Sequence, residues 1–315
     1  MKKRRAVTIK RFISICLTLA IIFTMTNTDV HASDLEEVAS ESDEVIITDG
    51  EIGAESSDEN ETIIFYDCET GETEEVQPGD EQGLSRMADK CATNIIGGDD
   101  RSPVSNTTGS PQRNVCFIEV RFPDGFEGRG TGTLVNFDVV LTAGHVIYQP
   151  DHGGYAEYIW VVPGMYDYVT WPLGTASCNG KIAAPSGWIN SHNYNYDWAV
   201  FKLTKSFDTY QLYGYYKDNS VEIDRTVVTY GYPCDYGTRM MTCEGKVLSA
   251  TDYTMNINND TAEGDSGGAV IDKDLGYLVA VSSTMHKNGW GIPDYNTVVK
   301  INQTVVNAIK ALSAN

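Results

Sequence analysis

From Ile95 onward the sequence predicts an all-β fold, two barrels of roughly 100 residues each followed by one helix. Three observations carry this reading. Short runs of β-branched and aromatic residues recur between turns rich in Gly, Asn, Asp and Pro. The stretch from Ile95 to Asn315 suits a single large all-β unit, which can reach about 200–250 residues. Helical spacing is convincing only at the end, where Val305, Ala308, Ile309 and Leu312 recur on one face and Asn302 or Thr304 can cap the start.

The elements follow in order. Lys2, Lys3, Arg4, Arg5, Lys10 and Arg11 form a positive head, residues 12–25 an apolar run, and Val30-His31-Ala32 a small-x-small cleavage site. Residues 1–32 therefore read as a secretory signal, and the expected location is outside the cell. The run is shorter than the roughly 20 residues of a spanning helix, so no membrane attachment is expected once it is cut.

The acidic segment comes next. Residues 33–94 hold 20 Asp or Glu against only Arg86 and Lys90, and carry most of the chain's net charge of −21. With so few apolar clusters the segment cannot offset its ordering entropy alone and is expected to be largely disordered. Between an export signal and a compact domain it reads as a propeptide rather than a solvated linker. Its two β-prone runs, Val45-Ile46-Ile47 and Ile63-Ile64-Phe65-Tyr66, can dock onto the domain that follows.

Within that domain, residues 95–315, strands are expected at 115–122, 130–134, 139–142, 159–162, 198–203, 227–232, 245–249, 269–272 and 278–282, with a break between barrels near 207–223. Four cysteines, Cys116, Cys178, Cys234 and Cys243, permit three pairings. Cys234 and Cys243 flank a Tyr-Gly turn and fit a local bridge, which would leave Cys116 with Cys178; four buried thiols are the alternative. No two Cys stand two residues apart, so no zinc site is expected. Asp99 and Asp100 offer a calcium pair, but adjacent acids in a turn usually face water, and neither metal nor cofactor is expected. There is no basic stripe, which excludes nucleic-acid binding.

Three motifs carry chemistry. Leu141-Thr142-Ala143-Gly144-His145-Val146 places a histidine after an apolar strand. Tyr196-Asp197-Trp198-Ala199-Val200 opens a strand with an acid, and Gly264-Asp265-Ser266-Gly267-Gly268 sets a serine among glycines. A serine hydroxyl needs a neighbouring base to become a nucleophile, and histidine titrates in the right range. A buried carboxylate then orients the imidazole and stabilises the cation that forms. Glycines around the serine let backbone N–H groups turn inward, so those of Gly264 and Ser266 are the expected oxyanion donors. Each motif alone is common, as a packed histidine, a turn acid or a flexible loop. All three in the order His145, Asp197, Ser266 point to acyl transfer.

These motifs resemble the signatures of the chymotrypsin-like serine proteases, and the chain is most similar to their bacterial glutamyl endopeptidase branch. Ile96-Gly97-Gly98-Asp99-Asp100-Arg101, Gly132-Thr133-Leu134 and Tyr230-Gly231-Tyr232-Pro233 carry that closer likeness. The resemblance implies two perpendicular six-stranded antiparallel barrels with the triad in the cleft between them. It also implies a monomer that acts on proteins or peptides. Ile95-Ile96-Gly97-Gly98 resembles the N-terminus freed when such zymogens are cut, so cleavage after Asn94 is expected. The amine of Ile95 would then pair with Asp265, or in the glutamyl branch lie near the substrate's acidic side chain.

Specificity is divided. Thr261 matches a pocket position of glutamyl endopeptidases, while Ser282 stands where they place a histidine and His286 follows four residues later. Asp260 coincides with the trypsin position that binds Arg or Lys, and Met285 with an open glycine there, which argues against a roomy basic pocket. Two functions stay open beside an endopeptidase cutting after Glu or Asp. One is an endopeptidase with basic preference, and the other a catalytically silent homologue that binds partners.

Overall fold

The computed structural model describes residues 91–208 and 223–314 in full, with the backbone of Leu35–Glu37, Ile63–Asp67 and Gly214–Tyr216. The expected signal, the run at 45–47 and most of the acidic segment lie outside the described residues.

The first barrel comprises β1 (Val115–Arg121), β2 (Glu127–Asn136), β3 (Val139–Thr142), β4 (Tyr158–Pro163), β5 (Ala176–Pro185) and β6 (Ala199–Leu203). Its antiparallel order is β4-β1-β2-β3-β6-β5, and β5 returns to β4 with Trp160 opposite Ser177. The second comprises β7 (Thr226–Gly231), β8 (Met241–Ala250), β9 (Thr254–Ile257), β10 (Ala269–Asp272), β11 (Leu278–Lys287) and β12 (Pro293–Lys300). Its order is β7-β10-β11-β12-β9-β8, closed by β7 against β8. Counted from each barrel's first strand, the two circuits are identical. Closure satisfies the edge N–H and C=O groups that an open sheet would leave exposed.

Strand alternation divides the apolar residues between cores. From β1, Cys116, Ile118 and Val120 face into the first barrel, where they meet Leu134 and Phe201. Val115 and Phe117 face outward into a shared core with Trp160, Trp198, Tyr232 and Val299. Here α3 (Gln303–Ser313) adds Val305, Val306, Ile309 and Leu312. Asn302 caps that helix by accepting the Val305 N–H at 3.1 Å. Val227, Val247, Val270 and Val298 fill the second barrel.

Three barrel strands escape the sequence reading. β5 contains Ser, Asn, Gly, Lys and Pro, β9 is four residues ending before two Asn, and β12 opens Pro-Asp-Tyr-Asn. Each mixes strand formers with Asn, Pro, Asp or Gly that read as turns, and pairing with neighbouring strands decides between the two.

The expected cysteine pairings do not occur. Cys234 bonds Cys91 of the acidic segment, with Cα atoms 5.8 Å apart. Cys243, on β8, is buried with its sulfur accepting the Asp260 N–H at 3.2 Å, while Cys116 is a buried thiol inside the first barrel. The turn between Cys234 and Cys243 therefore does not bring their side chains together. Sequence proximity suggested that bridge, whereas the actual bond spans 143 residues.

One run of the acidic segment does dock. Ile63–Asp67 lies antiparallel on β5, from Lys181 opposite Asp67 to Pro185 opposite Ile63. It occupies the part of that edge which β4 leaves open beyond Ser177.

Candidate active site

The pairing of β3 with β6, Thr142 opposite Ala199, carries the chain just beyond one strand towards the chain just before the other. His145 follows β3 in the short helix α1 (Gly144–Ile147), and Asp197 precedes β6. Trp198 beside it is 1 % exposed and anchors the turn; truncating such a side chain costs about 3–5 kcal/mol. Glycine is required at 144, where a Cβ would sit 2.7 Å from the indole of Trp188 on α2 (Ser186–Ser191).

His145 Nδ1 and Asp197 Oδ2 are 2.8 Å apart, and the His145 backbone N–H donates to Asp197 Oδ1 at 2.8 Å. Asp197 is fully buried, so these bonds replace its lost water. Ser283 Oγ also donates to Oδ2, at 2.5 Å. Sequence reasoning missed Ser283; its signal is the row Ser282-Ser283-Thr284 that interrupts the apolar run of β11.

Burial alone would lower the His145 pKa, but the charge and hydrogen bond of Asp197 outweigh it and hold the ring above the ordinary histidine value. Burial would raise Asp197, yet the charge and hydrogen bonds of His145, with the Ser283 hydroxyl, keep it below the usual carboxylate range. The pair is thus arranged to hold an imidazolium beside a carboxylate.

Ser266 lies in the turn between Thr261–Ala262 and β10. Thr131 of β2 fixes this turn: its N–H donates to Ser266 O at 2.8 Å and its Oγ1 to Gly264 O at 2.7 Å. The backbone of Gly264 has φ +95°, and a Cβ there would lie 2.5 Å from Tyr232 O. Glu263 O accepts the Cys234 N–H at 2.7 Å, and Asp265 O accepts the Gly268 N–H at 2.8 Å. In a trans peptide the N–H points opposite the carbonyl. The Gly264 and Ser266 N–H groups are therefore turned away from those two contacts.

One pocket is lined by Ser266 together with Thr261, Ser282, Ser283, Thr284 and Asp260. Thr261 Oγ1 donates to Asp265 Oδ2 at 3.1 Å, and the Ala262 N–H donates to the same oxygen at 3.0 Å. Burial pushes the Asp265 carboxyl up to about 6, with those two bonds pulling partly the other way. His286 is outside this lining. Its ring is 2.9 Å from Thr284 Oγ1 and stacks on Tyr295, so it adjoins the pocket through Thr284.

Asp260 is 4 % exposed, and both its oxygens are engaged. Oδ1 accepts the Ile96 N–H at 2.7 Å and Oδ2 the Asp100 N–H at 2.8 Å. The backbone beside Ile95 is thus held by Asp260. Asp99 is bonded to the Arg101 guanidinium, which also grips Asp235. Among the described residues no three His, Cys, Asp or Glu side chains converge as metal ligands.

The model of the trypsin-like peptidase domain family matches residues 130–281. The chain is 33 % identical over 225 residues to an extracellular metalloprotease of Bacillus subtilis, covering 69 % of each chain. It is 30 % identical over 243 residues to a glutamyl endopeptidase of Bacillus licheniformis, covering 75 % of this chain and 74 % of that one. A solved structure of a Glu endopeptidase in complex with MPD superposes with a TM-score of 0.60 at 26 % identity. That match covers 70 % of this chain and 100 % of the other. The metal in the first relative's name finds no matching donor set among the described residues here.

Proposed function

The chain belongs to the trypsin-like serine peptidases and is a serine endopeptidase acting on protein or peptide substrates, and we propose that it is secreted, works through His145, Asp197 and Ser266, and cuts after Glu or Asp. The observation that carries the mechanism is Asp197, buried and bonded at once to the ring and the backbone of His145. In this reading His145 Nε2 removes the Ser266 proton as Oγ attacks the peptide carbonyl. The N–H groups of Gly264 and Ser266 receive the oxyanion. His145 then protonates the leaving amine, and water releases the acyl group by the same steps. No metal enters this sequence of events.

The preference for acidic residues is supported by the pocket's chemistry. Ser282 and Thr284 supply hydroxyls able to donate to a carboxylate, beside Thr261, whose own hydroxyl donates to Asp265. The acid in the trypsin-like position, Asp260, is buried and each of its oxygens already accepts a backbone N–H, so part of its accepting capacity is spent within the protein. The names of two relatives point the same way. Digestion of a diverse peptide mixture, with cut sites read by mass spectrometry, should yield Glu or Asp before the cut bond. Cuts dominated by Lys or Arg would overturn the preference, and no cutting at all would favour the silent homologue.

The acidic segment is proposed as a propeptide and the working enzyme as a monomer. A cut after Asn94 would free the amine of Ile95, and a cation reaching Asp265 would pull its raised pKa down.

A pH profile follows from His145. The base must be neutral to act, and its pKa is held above 6.5. As pH falls through that value the ring is protonated and kcat/KM should fall about tenfold per unit. The expected acid limb is centred above 6.5; a limb centred near 4 would assign the titration to a carboxylate instead.

A further inference from the structure

The acidic segment makes one covalent and several backbone contacts with the wall that holds Ser266. Thr93–Asn94 pairs antiparallel with Thr261–Ala262. The Glu263 N–H donates to Ala92 O at 2.9 Å, and Asn94 is fully buried with its amide on Tyr295 O and Asn296 Oδ1. Just upstream, Cys91 is bonded to Cys234. Cys234 is also the residue whose N–H holds Glu263 O at 2.7 Å. That carbonyl belongs to the peptide whose N–H, on Gly264, is the oxyanion donor. Rotating the peptide by half a turn would withdraw the donor, and glycine at 264 offers little steric resistance to such a rotation.

We propose that the Cys91–Cys234 disulfide retains Cys91 to Asn94 in the active enzyme and fixes the Glu263–Gly264 peptide in its oxyanion-binding orientation. The proposal rests on the reading of Ser266 as nucleophile. It holds for either place of processing. A cut upstream of Cys91 leaves the tether in the main chain, and a cut after Asn94 leaves the released piece attached through sulfur. Cys91 and Cys234 are positioning residues here, since neither touches the substrate.

Peptide mapping of the secreted active protein without reduction should find Cys91 linked to Cys234, wherever the acidic segment is cut. Active protein that begins at Ile95 with nothing attached, or carries Cys234 as a free thiol, would overturn the proposal. Active protein that keeps the whole acidic segment would refute only the propeptide reading, provided the link is present.

The Cys91→Ser variant then tests the role. Losing one oxyanion donor costs about 10²–10³ in turnover, so kcat should fall by up to that factor while KM stays near wild type. Affinity for a peptide boronate, which forms a tetrahedral adduct, should fall in parallel, and affinity for a product peptide should not. An unchanged kcat, or a loss carried by KM alone, would refute the positioning role. Where the variant is not secreted, mild dithiol reduction of the folded wild-type enzyme reads the same quantities and should reverse on reoxidation. Absence of Ser266-dependent cleavage in the wild type is a different result, and refutes the reading of the site itself.

Discussion

Replacing Ser266 with alanine is expected to lower kcat by about 10⁶-fold, equivalent to about 8 kcal/mol of transition-state stabilisation. The size follows from the change of mechanism. Without Oγ no acyl-enzyme forms, and His145 can only assist water. A residual rate of about 10³–10⁴ over the uncatalysed reaction should persist, because the Gly264 N–H and the substrate pocket remain. Thr131, Thr142 and Tyr232 hold the turn by backbone contacts and hydroxyls that do not involve the serine side chain, so the variant should fold. Steady-state kinetics beside thermal unfolding check both halves. A loss of only tenfold in a folded variant would mean that another group attacks.

The second large effect is at Asp197. Asp197→Asn should lower kcat by about 10⁴-fold with little change in KM. Oδ2 receives both His145 Nδ1 and Ser283 Oγ, and Oδ1 receives the His145 backbone N–H. An amide offers one acceptor where the carboxylate offers two. With its oxygen kept by the backbone N–H, its NH₂ faces the ring and stabilises the tautomer with the proton on Nε2, which cannot accept from Ser266. The charge that raises the His145 pKa disappears as well, so the acid limb of the pH profile should move downward. A variant with near-normal kcat would remove Asp197 from the mechanism.

Much of this site is legible in the sequence because its chemistry is local. A histidine after an apolar strand, an acid before another and a serine among glycines each announce themselves within six residues. His145 meets Asp197 through the pairing of β3 with β6, and the Thr131 contacts hold the Ser266 turn against β2, which only the fold supplies. Ser283 escaped because a serine beside two other hydroxyl residues carries no mark of its partner 86 positions away. The same limit explains the disulfide. Cys234 and Cys243 look paired along the chain, while the turn at Cys234–Tyr236 directs Cys234 to Cys91 instead. Asp260 shows what the fold adds to a position read from sequence. Position alone suggests a receptor for basic side chains, and the two backbone N–H groups on its carboxylate give it other work.

Of the fold, the apolar strands of both barrels and the terminal helix stand out by pattern. β5, β9 and β12 do not, since their strand formers are mixed with Asn, Pro, Asp or Gly and closing each circuit is what makes them extended. The docking of Ile63–Asp67 was legible as an apolar run in acidic surroundings, although nothing in that run identifies β5 as its partner.

The most direct test of the account is to treat the secreted protein with a fluorophosphonate and locate the adduct by mass spectrometry. Such a reagent phosphonylates a serine only when a base activates it and an oxyanion site receives the developing charge. One adduct is expected, on Ser266, formed in step with loss of peptide cleavage and greatly slowed in His145→Ala. Cleavage that survives complete labelling of Ser266, or an adduct on another residue that tracks the loss of activity, would contradict it.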